Sequence, residues 1–144
     1  MAEKKVNHPT FSMPLRGILL LGGIYTFIWG AFFKWFGDAL LSWLAMGESI
    51  EASSNVFGTF GMIVGALIFL SAFYPFSWIY LMLAGTLGKV VSALWFVFIY
   101  LDLVGWNKRS IFHLTFNELV WIIPLFFILY RANQVKKYLR DLNA

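Results

Sequence analysis

WIYLMLAGTLGKVVSALWFVFIYL, residues 78–101, decides the fold: 24 residues with one charged side chain, Lys89. A helix needs about 20 mainly apolar residues to cross a hydrocarbon core about 30 Å thick. The stretch therefore reads as a membrane span with a lysine near its middle. Such a charge costs about 2.5–3.5 kcal/mol on insertion scales and usually has a partner. The next apolar stretch, IFHLTFNELVWIIPLFFILY (residues 111–130), carries one charge of opposite sign, Glu118. The simplest reading makes each the other's partner.

Working outward from this pair, two more apolar segments come earlier in the chain, residues 15–36 and the shorter, glycine-rich 56–73. Only YPFS, residues 74–77, separates the second segment from the third, which predicts an antiparallel helical hairpin broken at Pro75. The expected fold is all-α: an integral membrane four-helix bundle forming a single transmembrane domain over residues 1–144, with helices at about 15–36, 56–73, 78–101 and 111–130. An even number of spans puts both termini on one side. Seven of the eleven basic residues (Lys4, Lys5, Arg16, Arg131, Lys136, Lys137 and Arg140) lie in the terminal segments, which predicts cytoplasmic basic tails. Lys108 and Arg109, in the second outer loop, run against that orientation.

Composition agrees with a membrane protein. The 144 residues are 60% hydrophobic and 12% charged, with a net charge of +4, against about 25% charged in soluble domains. So apolar a chain has no basic groove for nucleic acid; the expected partner of its charge is an anionic bilayer surface. The absence of cysteine excludes disulfides, thiolate metal sites, iron–sulfur clusters and thiol redox catalysis. The polar start and the lack of a cleavage motif predict that the first apolar segment is retained as a helix, not removed as a signal peptide.

The first outer loop, GDALLSWLAMGESIEASSN, places Leu40, Leu41, Trp43, Leu44 and Met46 near one stripe after Asp38 as N-cap. This predicts a short interfacial helix lying on the outer leaflet. Lys34, at the end of the first span, is expected to snorkel to headgroups. Gly61/Gly65 and Gly88/Ser92 have the small-xxx-small spacing that lets helices approach closely, and packing within the bundle is the expected use.

Depth counting supports the pairing. Lys89 is 11 residues from Trp78, about 16 Å in, and Glu118 is 7 residues from Ile111, about 10 Å in from the other side. The gap lies within a lysine's reach. The bland role is a clamp that sets bundle register; the sharper ones are binding or proton handling. His113 and Asn117 share a face at i,i+4, and Glu118 and Trp121 an adjoining one at i,i+3. Pro124 frees the Val120 carbonyl and is expected to kink the helix. Tyr25, Thr26 and Trp29 of the first span complete a candidate polar pocket. No catalytic or metal residues are assigned, since HExxH, phosphate-loop and GxSxG patterns are absent. Only His8 and His113 exist, which excludes a haem held by two intramembrane histidines and leaves a His/Met set open.

GMIVGALIFLSAFYP, GTLGKVVSALWFVF and NELVWIIP together resemble the DoxX-like family of small four-helix bacterial membrane proteins. Gly85, Gly88 and Lys89 match one motif of that family; Asn117, Glu118, Trp121 and Pro124 match the other, with Glu where Asp is common. The FFKWFGDALLSWLAMG stretch resembles the family's first outer loop without its prolines. The resemblance implies a four-helix bundle in the bacterial inner membrane and no settled activity; by analogy with some relatives it hints at quinone. The expected function is a non-catalytic accessory or small-ligand-binding component with no required cofactor, associated with membrane-complex subunits or itself. The alternatives are a proton-coupled transporter using Glu118 and a quinone-binding subunit of a membrane oxidoreductase.

Overall fold

The computed structural model describes residues 9–144. Lys4, Lys5 and His8 lie outside the described residues. These form five helices and no strand: α1 (Met13–Trp35), α2 (Gly37–Leu44), α3 (Asn55–Ser71), α4 (Ile79–Val104) and α5 (Lys108–Leu142). α1, α4 and α5 are long and apolar enough to cross a membrane; α3, at 17 residues, is shorter. α1 packs on α3, α3 on α4 and α4 on α5, with a lighter contact from α5 back to α1.

Glycines bring α1 and α3 to backbone contact. A Cβ on Gly23 would stand 2.6 Å from Phe69 N, and one on Gly30 would stand 2.5 Å from Met62 N. From the other side, Cβ atoms on Gly58 and Gly65 would strike the α1 backbone at Lys34 and Phe27. On α4, Cβ atoms at Gly85 and Gly88 would meet Ile68 and Val64 of α3 at 2.7 and 2.6 Å. Small residues are thus used for packing within the molecule.

Inward positions recur at steps of seven: Leu19, Thr26 and Phe33 on α1, Met82, Lys89 and Phe96 on α4, and Glu118, Leu125 and Ala132 on α5 are all buried. Steps of seven keep a seam facing its neighbours along packed helices. Three layers result. Leu19, Val64, Met82, Leu125 and Ile128 form one apolar cluster. Phe33, Leu41, Leu44, Phe57, Phe96 and Tyr100 form the other. The polar side chains Thr26, Lys89, Ser92, Asn117 and Glu118 lie between them in each helix's sequence and are also buried.

Several expected boundaries shift. α3 ends at Ser71, short of 73. α4 runs on to Val104 through a π-helical turn at Phe96–Tyr100. α5 begins at Lys108 and continues to Leu142 through Pro124. Asn107 sets its start: its side chain accepts from the N–H groups of Arg109 and Ser110, and Ser110 Oγ accepts from the Asn107 N–H, a capping box. Gly105, at φ +79°, makes the turn before it.

The short helix α2 is present, and its stripe divides: Leu41 and Leu44 turn into the protein, whereas Trp43 and Met46 are exposed. It begins at Gly37, so Asp38 sits in its first turn and makes no capping bond. Leu41 and Leu44 are fully buried in the second apolar cluster. The loop before α5 straps it down. Asn107 Nδ2 donates to Leu44 O at 2.7 Å, and Arg109 Nη1 donates to Trp43 O at 2.8 Å with its guanidinium 4.9 Å from the Trp43 ring centre. The first bond satisfies a carbonyl at the end of α2 that the helix leaves open, and the second adds to the Met46 N–H that already donates to Trp43 O at 3.2 Å. Lys34 Nζ donates to Thr59 Oγ1 at 2.7 Å, across to α3.

Candidate functional site

The middle layer brings Lys89 and Glu118 together. Their side chains are 3% and 5% exposed, with Nζ 3.5 Å from Oε2. That is long for a hydrogen bond, and Oε2 has no hydrogen-bond partner, so the attraction is Coulombic. Oε1 accepts from Ser92 Oγ at 3.3 Å. Ser92 follows Lys89 by three residues and shares its face of α4.

His113 approaches the same carboxylate, its Nε2 4.0 Å from Oε1. In a regular α-helix, residues five apart point about 140° away from each other. The backbone over His113–Leu119 is instead a π-helical turn, in which the Val120 N–H reaches back five residues to Thr115 O. The wider turn puts i and i+5 on one face, and His113, Asn117 and Glu118 all face inward, each buried.

A hydrogen-bonded chain orders this turn. The Tyr25 hydroxyl donates to Asn117 Oδ1. Asn117 Nδ2 lies 2.8 Å from His113 Nδ1. With Oδ1 taken by tyrosine, the amide nitrogen donates to Nδ1, which puts the ring proton of neutral His113 on Nε2. Aromatic rings hold the imidazole: those of Phe96, Phe33 and Trp29 have centroids 4.3, 5.3 and 6.0 Å from it.

Among the described residues, three buried side-chain polar atoms have no hydrogen-bond partner: Thr26 Oγ1, His113 Nε2 and Glu118 Oε2. All three residues line one cavity of about 20 Å³, together with Trp29, Phe33, Phe57, Gly30 and Gly61. A buried water needs roughly 10–15 Å³ and two to four polar partners. This cavity offers a donor, an acceptor and a hydroxyl.

Of the pocket residues expected from sequence, His113, Asn117 and Trp29 line the cavity, and Tyr25 reaches it through Asn117. Trp121 does not line it. It is half-buried beside Gly22, where a Cβ would be 3.0 Å from its ring, and its centroid lies 5.4 Å from that of Tyr25. The π turn accounts for this: it ends before Trp121, so Glu118 faces inward with His113, not with its i+3 neighbour. Its spacing from Gly88 marks Ser92 only as a packing residue, whereas in the structure it donates to Glu118 Oε1. Among the described residues, no three His, Asp or Glu side chains converge as metal ligands would.

No protein-family model, curated protein or solved structure matches the chain.

Proposed function

We propose that the chain is a four-span protein of the bacterial inner membrane with both ends in the cytoplasm. On this reading it is a non-catalytic accessory component whose buried cluster binds one polar molecule the size of water. The observation that carries it is the convergence of Thr26 Oγ1, His113 Nε2 and Glu118 Oε2 on a cavity of about 20 Å³. Lys89 supplies the counter-charge that makes a buried carboxylate tenable there. Three long apolar helices support the membrane assignment. The 17 residues of α3 reach about 26 Å, nearly a hydrocarbon core, and the turn after it extends that span. Arg131, Lys136, Lys137 and Arg140 at one end support the orientation. The DoxX-like resemblance belongs to the same reading, because its two motifs supply Lys89, Asn117 and Glu118.

A cavity of this size does not admit a quinone ring; organic ligands occupy about 300–1,000 Å³. The test is an experimental structure at a resolution that shows ordered solvent. One density peak within hydrogen-bond distance of Thr26, His113 and Glu118 is expected in the wild type, and its loss in Thr26→Val. A wild-type cavity without density ends this reading.

One observation favours a second reading, proton-coupled transport. The His113 imidazole stands 4.0 Å from the Glu118 carboxylate inside one cavity, held there by Asn117 and Tyr25. Intramembrane histidine and carboxylate sets of this kind carry protons in pumps and transporters. In proteoliposomes under a potassium diffusion potential, this reading expects proton uptake that Glu118→Gln abolishes while the helices stay folded. Absence of uptake in the wild type sinks it.

A further inference from the structure

A second, larger feature lies away from the cluster, where α4 begins and α5 leaves its apolar stretch. There a groove of about 780 Å³ runs between the two helices. Its walls change character along its length. Leu83 and Phe126 line one end, Ile79 and Tyr80 the middle, and Lys136, Lys137 and Arg140 the other end. No carboxylate lines it. The Lys136 ammonium stands 5.5 Å from the Tyr80 ring centre, so the charge is held by both walls. Among the described residues Arg140 pairs with exposed Asp141, at 3.6 Å, a surface contact of little strength.

This gradient straddles the boundary between hydrocarbon and headgroups. Phe126 and Lys136 are ten residues apart on one helix, about 15 Å along its axis. The last residue of the apolar run is Tyr130, and Lys136 lies about 9 Å beyond it. The headgroup layer is about 5–8 Å thick on each side, and lysine stems reach back along apolar surface.

We propose that this groove binds one anionic phospholipid. An acyl chain lies against Leu83 and Phe126, and the phosphate meets Lys136, Lys137 and Arg140. Charge complementarity selects the occupant: a choline headgroup would bring its own cation against three basic side chains, whereas a glycerol headgroup leaves the phosphate charge uncompensated. The inference rests on the membrane-spanning reading above but not on the buried cluster or on which end faces the cytoplasm.

The test uses the full purified chain in detergent with equal amounts of phosphatidylglycerol and phosphatidylcholine, and counts retained lipids by native mass spectrometry. One phosphatidylglycerol should be retained at least about tenfold over phosphatidylcholine, since each basic group near an anionic surface contributes about fivefold. The triple change Lys136→Gln/Lys137→Gln/Arg140→Gln should erase the preference, with helix content unchanged by circular dichroism. Leu83→Trp, which fills the apolar end, should lower retention without altering charge; Lys108→Gln should do neither. Equal retention of the two lipids, a preference that survives the triple change, or retention of a neutral lipid such as quinone would overturn the proposal. So would thermal stabilisation by inorganic phosphate equal to that by phosphatidylglycerol, the mark of a free-anion site. Alkaline carbonate extraction of native membranes separates the two failures. Release from the membrane defeats the spanning reading, whereas a protein that stays embedded and shows no lipid preference defeats this inference alone.

Discussion

Glu118 meets Lys89 and Ser92 of α4 and His113 of its own helix, and Asn117 holds His113 in place, so single changes there should be severe. Removing one partner of a buried ion pair costs about 3–5 kcal/mol, because a charge is left uncompensated. Lys89→Met and Glu118→Gln should each show that loss in reversible unfolding in mixed micelles. The double change should recover most of it; a double variant no more stable than the weaker single argues against pairing. Asn117→Leu strands both the Tyr25 hydroxyl and His113 Nδ1, and about 1–3 kcal/mol should be lost for each stranded group. Tyr25→Phe, which leaves Asn117 Oδ1 unbonded, should cost less in the same assay, and equal costs would mean the chain does not act through Asn117. The two charges were legible in the sequence because no other Asp, Glu, Lys or Arg lies inside those apolar runs. Ser92 was not legible as a ligand of Glu118. A hydroxyl in an apolar helix usually bonds its own backbone, as Thr86 does to Met82 O and Ser71 to Ile68 O, so its type alone does not announce a partner.

At the scale of elements, the glycine seam between α1 and α3 should be the least forgiving surface. Gly65→Ala drives a methyl into the α1 backbone and should destabilise the protein despite alanine's better helix propensity. Gly17→Ala meets nothing within 4 Å and should stabilise by up to about 1 kcal/mol. Thermal unfolding in one detergent checks both; a stabilising Gly65→Ala would refute the seam. The glycine spacing was readable as a packing face. The destination of the α2 stripe was not, because a buried protein face and a lipid surface ask for the same apolar residues. The π turns were also silent in the sequence. His113 and Asn117 fit an α-helical i,i+4 reading equally well, and only the tertiary pull of Glu118 toward Lys89 separates the two geometries.

For the molecule as a whole, topology is open to direct measurement because the chain has no cysteine of its own. Ser49→Cys lies in the exposed loop after α2 and Asn143→Cys at the end of α5. On the four-span reading, a membrane-impermeant thiol reagent should label the first in intact cells and the second only after permeabilisation; labelling of both from one side would remove that reading. The capping box at Asn107 has a consequence for biogenesis. Lys89 is synthesised 29 residues before Glu118, an interval of roughly 1.5–6 s at 5–20 residues per second. During that delay the lysine would stand alone among apolar neighbours. On the four-span reading, a tight turn at Gly105–Asn107, closed by its own side-chain bonds, lets α4 and α5 enter the membrane as one hairpin, so that the charge arrives with its counterpart already beside it.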